Sequence, residues 1–311
     1  MQFYSSLDEI PSDFGPSAIT FGKFDGIHLG HRRVIDELRA VAEERGLVST
    51  VLTFDRNPLS LLAPDRCPES IVSNAQKREL IESAGIGAMV ELTFDREFSA
   101  QRAEEFVERI IVGTLHAAVV LVGPDTRFGA GGLGTYETLV ELGRAGGFEV
   151  MRLEPYLDES DRPASSSRVR ELLAAGDVAA AGKLLGRNPS VRSVVVQGQH
   201  RGRALGFPTA NLSPELEGFI PADGVYAGYL TVDERRMPAA ISIGNNPTFE
   251  GVPERQVEAH VLDEDLDLYD KTVEVQFVER IRGMEKFATL DELIEGIRRD
   301  TERAREVLSA G

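Results

Sequence analysis

The sequence predicts an α/β domain followed by a smaller, mainly β domain. Up to about residue 153, short apolar runs of strand type alternate with amphipathic helical stretches. Beyond Gly186-Arg187-Asn188-Pro189 the chain changes to short β-rich runs separated by turn residues. With 311 residues it is long enough for two domains of ordinary size.

In chain order, Ser17–Phe21 and Val48–Phe54 are β-like. Between them, His31–Arg45 carries Val34, Ile35, Leu38, Val41 and Ala42 on one helical stripe, with Gly46 as a stop. A helix over about Asn74–Ser83 is opened by a capping box, Ser73 with Gln76. Ala88–Leu92, Ala118–Val122 and Phe148–Leu153 read as strands, and Ala103–Thr114 and Tyr136–Arg144 as helices. Buried-type strands in this alternation imply a parallel sheet covered on both faces. Ligands of such sheets sit beyond the carboxyl ends of the strands, at a switch point.

Two short helices, Ser167–Ala175 and Asp177–Leu185, come next. The runs Ser193–Gln197, Gly224–Val232, Ala239–Ile243, Gln256–Leu262 and Thr272–Phe277 then suggest a small antiparallel barrel or sandwich. An amphipathic helix, about Leu290–Leu308, ends the chain. The change of character places the domains at 1–186 and 187–311.

Composition limits the partners. Asp and Glu number 51 against 34 Lys and Arg, a net charge of −17 that repels polyanions. Nucleic acid and anionic membranes are therefore not expected partners, and anionic small molecules must be met by local positive features. Cys67 is the single cysteine, so no intrachain disulfide can form, and a cytoplasmic setting is expected. Met1-Gln2-Phe3-Tyr4-Ser5-Ser6-Leu7-Asp8-Glu9 lacks the basic and apolar regions of a signal peptide. No apolar run is long enough to span a bilayer. A monomer or weak homo-oligomer is expected.

The most informative segment is Thr20-Phe21-Gly22-Lys23-Phe24-Asp25-Gly26-Ile27-His28-Leu29-Gly30-His31. A strand runs into a glycine-bearing turn and a helix start, whose free N–H groups attract phosphate. His28 and His31 lie on one side of the first turn and can both point donors at one anionic group. Gly30 lets the backbone approach closely. Fixed donors of this kind lower the barrier to nucleotidyl transfer, in which charge gathers on the α-phosphate. Two surface histidines at a helix start are the plain alternative, against which the strand and the Phe21–Gly26 context weigh. A second cluster, Ser165-Ser166-Ser167-Arg168-Val169-Arg170, opens another helix and can hold β- and γ-phosphates, although alone it would read as a helix cap. Lys23, Arg168 and Arg170 are the nearby cations.

The second half carries its own pattern, Gly202-Arg203-Ala204-Leu205-Gly206-Phe207-Pro208-Thr209-Ala210-Asn211. In an extended segment Thr209 and Asn211 project to one face, where a hydroxyl and an amide oxygen can ligate Mg²⁺. The glycine-rich portion can wrap ATP phosphates. Glu258, in the strand-like Gln256–Leu262, can accept the proton of an attacking alcohol. A plain turn and an exposed strand carboxylate stand as even alternatives, since the separation of Asn211 and Glu258 along the chain predicts nothing without a fold. His116, His200 and His260 read as structural or solvated.

Thr20–His31 resembles the signature of the bifunctional bacterial riboflavin kinase/FAD synthetase family, and the resemblance runs from about Ser17 to the C-terminus. It includes Phe94-Asp95-Arg96-Glu97-Phe98, Arg127-Phe128-Gly129 and Ile243-Gly244-Asn245-Asn246-Pro247-Thr248-Phe249. The resemblance implies a Rossmann-like nucleotidyltransferase domain that adenylylates FMN to FAD, and a six-stranded β-barrel with a C-terminal helix that phosphorylates riboflavin. ATP, riboflavin, FMN and FAD are then substrates and products, with Mg²⁺ as cofactor. His28 and His31 become catalytic in the first domain, with Phe21, Gly22, Phe24, Asp25, Gly30, Ser166, Ser167 and Arg170 toward its nucleotide. In the second, Gly202, Gly206 and Pro208 face the nucleotide, Thr209 and Asn211 its metal, and Glu258 is the base toward the 5′-hydroxyl of riboflavin. Asn57, Asp125 and Arg127 fall on the flavin side of the first domain.

Three positions depart from the family pattern. Asn57 stands where most members carry His, Thr126 where many carry an aromatic residue, and Pro163-Ala164 displaces an arginine. A riboflavin kinase with a weak or altered transferase half is the alternative these raise. A non-catalytic flavin or nucleotide sensor is a further one, with no residue in its favour.

Overall fold

The computed structural model describes residues 1–198, 206–244, 255–264 and 266–309. The chain divides into two compact units, Met1–Ser165 and Ser166–Gly311.

In the first unit, β1 (Gln2–Tyr4), β2 (Ser17–Phe21), β3 (Val48–Phe54), β4 (Ala88–Leu92), β5 (Ala117–Val122) and β6 (Glu149–Arg152) form one sheet. Its order is β1-β4-β3-β2-β5-β6 and every pairing is parallel. From β2 the chain steps outward through β3 and β4, then returns to lay β5 on the other side, so the β2/β5 boundary is the switch point. Successive strand residues face opposite sides and both sides are covered. Ile19, Leu52, Val90 and Val120 pack with Ile110, Ile111, Leu115 and Leu139 on one face. Ala18, Val51, Met89 and Leu121 pack with Ile35, Leu38, Val41 and Ile81 on the other.

The helices are α1 (Leu29–Arg45), α2 (Pro58–Leu62), α3 (Asn74–Ser83), α4 (Arg96–Ala100), α5 (Ala103–Phe106) and α6 (Tyr136–Gly146). Gly46 ends α1 in the left-handed conformation at φ 65°, and the Ser73–Gln76 capping box opens α3, both as the sequence indicates. One expected helix differs. Ala103–Thr114 begins as α5 but continues as a π-helix over Val107–Val112, with Gly113 N donating to Glu108 O and Leu115 N to Ile110 O. The wider turn accommodates a run rich in β-branched residues, which crowd an α-helix.

In the second unit, α7 (Ser166–Ala175) and α8 (Val178–Leu185) precede the barrel. Their attachment to it is direct: Ala222 N donates to Leu173 O, and Arg280 Nη1 to Ala175 O. Asp177 caps α8 through Ala180 N at 3.0 Å, and left-handed Gly186 ends it. Strands β7 (Ser190–Val196), β8 (Ala210–Leu212), β9 (Gly224–Val232), β10 (Arg235–Gly244), β11 (Gln256–Val261) and β12 (Thr272–Arg282) close into an antiparallel barrel of order β10-β11-β8-β7-β12-β9. Closure decides the barrel over the sandwich. Tyr226, Leu230, Ile241, Val257, Ala259, Val275 and Phe277 are buried within the unit. The terminal helix α9 (Leu290–Ser309) packs Ala304 against Ala227 and Leu262. It is fastened by Asp300, which accepts two hydrogen bonds from Arg282 at 2.8 and 2.6 Å.

Candidate active sites

The first site grows from the carboxyl end of β2. Gly22 N continues the ladder to Leu52 O at 3.1 Å, and the chain then turns sharply. Phe24 and Ile27 adopt φ of 48° and 40°, a region unfavourable for bulky side chains. Both are 3 % exposed, so burial of their side chains holds the strained turn. Between them Gly26 has φ 79°, and a Cβ there would come within 2.9 Å of Ile71. Asp25 fixes the same contact from the other side, its Oδ1 accepting from Ile71 N at 2.9 Å.

This turn delivers His28 as the N-cap of α1, its carbonyl accepting from Arg32 N at 2.9 Å. The first-turn N–H groups that follow make an anion-attracting helix end. The His28 and His31 rings stack with centroids 3.8 Å apart and planes at 25°. Gly30 makes room for that stack, because a Cβ would lie 3.0 Å from the His28 ring. Phe24 supports it from below, its ring centroid 5.1 Å from that of His31. Burial, then the charges of His28 and Lys23, push the His31 imidazole well below the usual histidine range. His31 is therefore neutral at pH 7. Its Nδ1 is buried with no hydrogen-bond partner among the described residues, a cost that a bound polar ligand relieves.

The residues expected on the flavin side leave the strands flanking β2. Asn57 follows β3, and its Oδ1 accepts from Leu59 N at 3.1 Å to cap α2. Asp125 and Arg127 follow β5 and are exposed, while the Thr126 hydroxyl donates to Gly123 O at 2.9 Å. Phe21 packs edge-on to Phe106 and Phe128. The expected phosphate-holding residues Ser166, Ser167 and Arg170 lie on the opening turns of α7, in the second compact unit.

Sequence reasoning passed over Lys77. Its side chain is buried; Nζ donates to Phe54 O at 2.7 Å and pairs with Glu91 at 3.2 Å. It thereby clamps the end of β3, beside Asp55, whose Oδ1 accepts from Phe94 N at 2.9 Å. Burial draws the ammonium pKa down, opposed by Glu91, Asp25 and Asp55. Lys77 shares a helical stripe with buried Ile81 and Ala84, a pattern that does not by itself name Glu91 as its partner.

The second site lies on the barrel face away from its core. Ala210, Leu212, Val257 and Ala259 point inward, so the alternating Asn211 and Glu258 point outward. The register sets Glu258 directly opposite Asn211 on one side and Ser242 on the other. Asn211 Nδ2 donates to Thr209 O at 3.3 Å, and lies 3.5 Å from the Thr209 hydroxyl. A Cβ at Gly198 would fall 2.5 Å from the Asn211 amide, so glycine there keeps the space above it open. Hydroxyl, amide and carboxylate oxygens are a hard donor set that suits Mg²⁺. Gly206 is exposed at φ 85°, with Pro208 between it and Thr209. Gly202, His200 and most of Ile243–Phe249 lie outside the described residues. His116 is structural, its Nδ1 2.7 Å from Phe14 O.

Comparison with known proteins bears on both halves. Residues 10–168 match the model of the FAD synthetase family, and residues 185–308 that of riboflavin kinase. The bifunctional riboflavin kinase/FMN adenylyltransferase of Escherichia coli K12 is 36 % identical over 289 residues, covering 93 % of this chain and 91 % of that protein. The Bacillus subtilis protein of the same name is 33 % identical over 300 residues, covering 95 % and 93 %. The chain belongs to the bifunctional riboflavin kinase/FMN adenylyltransferase family. A crystal structure described as a macrolide-efflux protein from Streptococcus pneumoniae is 32 % identical and superposes with a TM-score of 0.87 over 97 % of this chain and 98 % of that one. That likeness places the family's two-unit architecture in a protein of another description. Among the described residues no helix is long and apolar enough to cross a membrane.

Proposed function

We propose that this chain makes FAD in two steps, phosphorylating riboflavin with ATP and then adenylylating FMN. The observation that carries the proposal is the cross-strand pair of Asn211 and Glu258, which brings an amide and a carboxylate together across positions distant in sequence. Residues 1–186 would serve the transfer and 187–311 the kinase step.

In the kinase step Glu258 takes the proton of the riboflavin 5′-hydroxyl as its oxygen forms a bond to the γ-phosphorus, and the bond to ADP breaks. Thr209 and Asn211 would hold nucleotide-bound Mg²⁺, which neutralises phosphate charge; Gly202, Gly206 and Pro208 would border the nucleotide. In the transfer step a phosphate oxygen of FMN attacks the α-phosphorus of ATP and pyrophosphate leaves. That nucleophile is already ionised, so no strong base is required. His28, neutral His31 and the α1 amides would meet the charge developing on the α-phosphate. Phe24 and Asp25 act by holding the turn, Phe21, Gly22 and Gly30 by shaping it. Ser166, Ser167 and Arg170 are assigned to the outer phosphates by their motif, and Asn57, Asp125 and Arg127 to the flavin side by theirs. A cytoplasmic setting, expected from the lone Cys67, belongs to the same reading.

Incubation with riboflavin, ATP and Mg²⁺, followed by separation of the flavins, tests it. FMN and then FAD should accumulate, and Glu258→Gln should abolish FMN formation while FAD still forms from added FMN. Absence of FMN with the parent protein would overturn the reading.

A further inference from the structure

We propose that His260 is a positioning residue for the kinase step, locking the Pro208–Asn211 segment beside Glu258. The inference rests on the roles proposed for Thr209, Asn211 and Glu258. His260 stands two residues beyond Glu258 on β11, on the same outward face, and is half-buried. Its Nδ1 lies 2.8 Å from Pro208 O. A carbonyl only accepts, so Nδ1 bears the hydrogen and donates. The ring also meets Phe207 edge-on, with centroids 5.6 Å apart and planes at 80°.

The ladder explains why an imidazole is needed. β11 pairs with β8 at Glu258–Asn211 and Ala259–Ala210, and there the pairing stops. Continued, the register would set His260 against Thr209 and bind the backbone flat into the sheet. Instead the His260 side chain reaches to Pro208 O, two residues past the last pair. Proline has no N–H, so this carbonyl is its only main-chain polar group. The segment is thus held to β11 at its start by a side chain and at Asn211 by the ladder. Thr209, between the two ties, is set with its hydroxyl beside the Asn211 amide, so that the two oxygens can turn together toward a phosphate-bound cation. On its other flank the register sets His260 opposite Ala240.

The test compares His260→Phe, which keeps an aromatic ring against Phe207 but no donor, with His260→Asn, whose amide nitrogen can stand where Nδ1 stands. Riboflavin phosphorylation is measured with MgATP varied, and MgATP binding by calorimetry without riboflavin. His260→Phe should raise the KM for MgATP about five- to tenfold and weaken its binding in step. The KM for riboflavin, the thermal midpoint and FAD formation from added FMN should stay at parent values. His260→Asn should recover most of the loss. Unchanged MgATP binding in His260→Phe, or an Asn variant no better than Phe, overturns the positioning role while leaving the two-step reading intact. A parent protein without kinase activity overturns that reading first, and this role with it.

Discussion

Lys77 shows how one residue can matter without touching a ligand. It is an ammonium taken out of water, compensated by Glu91 and the Phe54 carbonyl. Removing one partner of such a pair strands the other. Lys77→Met, similar in length, should cost about 3–5 kcal/mol in denaturant unfolding. The sign of its pH dependence follows from its lowered pKa. Between that folded value and the ordinary lysine value of 10.5 the unfolded chain binds the proton more tightly. Stability from this group therefore rises with pH through that window, and the gap between parent and variant should widen toward pH 10.5. A gap that narrows would refute the assignment. His28 with His31, and Thr209 with Asn211, stood out as residue types at informative spacings, whereas Glu258 was singled out through the family resemblance and its place opposite Asn211 came only from the fold. Lys77 was not, because a lysine on an apolar stripe is read as solvated unless the carboxylate it will meet, distant in sequence, is known. His260 was hidden for the same reason: its partner is a backbone oxygen 52 positions away.

At the scale of elements, strongly periodic segments could be read almost to the residue. Val48–Phe54, Asn74–Ser83, Ala88–Leu92 and Gly224–Val232 coincide with β3, α3, β4 and β9. What escaped was too short to show a period: the three residues of β1 and the five of α2. β12 escaped in part, continuing to Arg282 past Phe277 through two register shifts that break the alternation. The β2–α1 turn carries the element-scale prediction. Gly26→Ala adds a side chain at φ 79° and presses it on Ile71. It should cost roughly 1–2 kcal/mol in stability. By displacing His28 it should also slow FAD formation from FMN by about one to two orders of magnitude. Riboflavin phosphorylation, assayed on the same preparation, should be untouched.

For the molecule as a whole, the His28–His31 turn stands on the first unit and the Asn211–Glu258 pair on the second, each with its own core. Damage to one set of histidines should therefore stay local. His28→Ala should stop FAD formation and let FMN accumulate from riboflavin at the parent rate, measured by separating the flavins. A parallel fall in both rates would mean that the chemistries are not independent. The net charge of −17 adds a constraint, since every substrate in the scheme except riboflavin is an anion. Raising salt should screen that repulsion and assist capture of FMN and ATP more than capture of riboflavin.

The three-residue length of β8 has a consequence for how the barrel breathes. Elsewhere the barrel is stitched along longer ladders: β9 pairs with β10 at nine positions, whereas β8 meets each of its neighbours, β11 and β7, at two. The hydrogen-bonded wall is thinnest at the strand that bears Asn211. In hydrogen–deuterium exchange the amides of Ala210–Leu212 should open before those of β9 and β10. Addition of MgATP should slow them more than any others in the barrel.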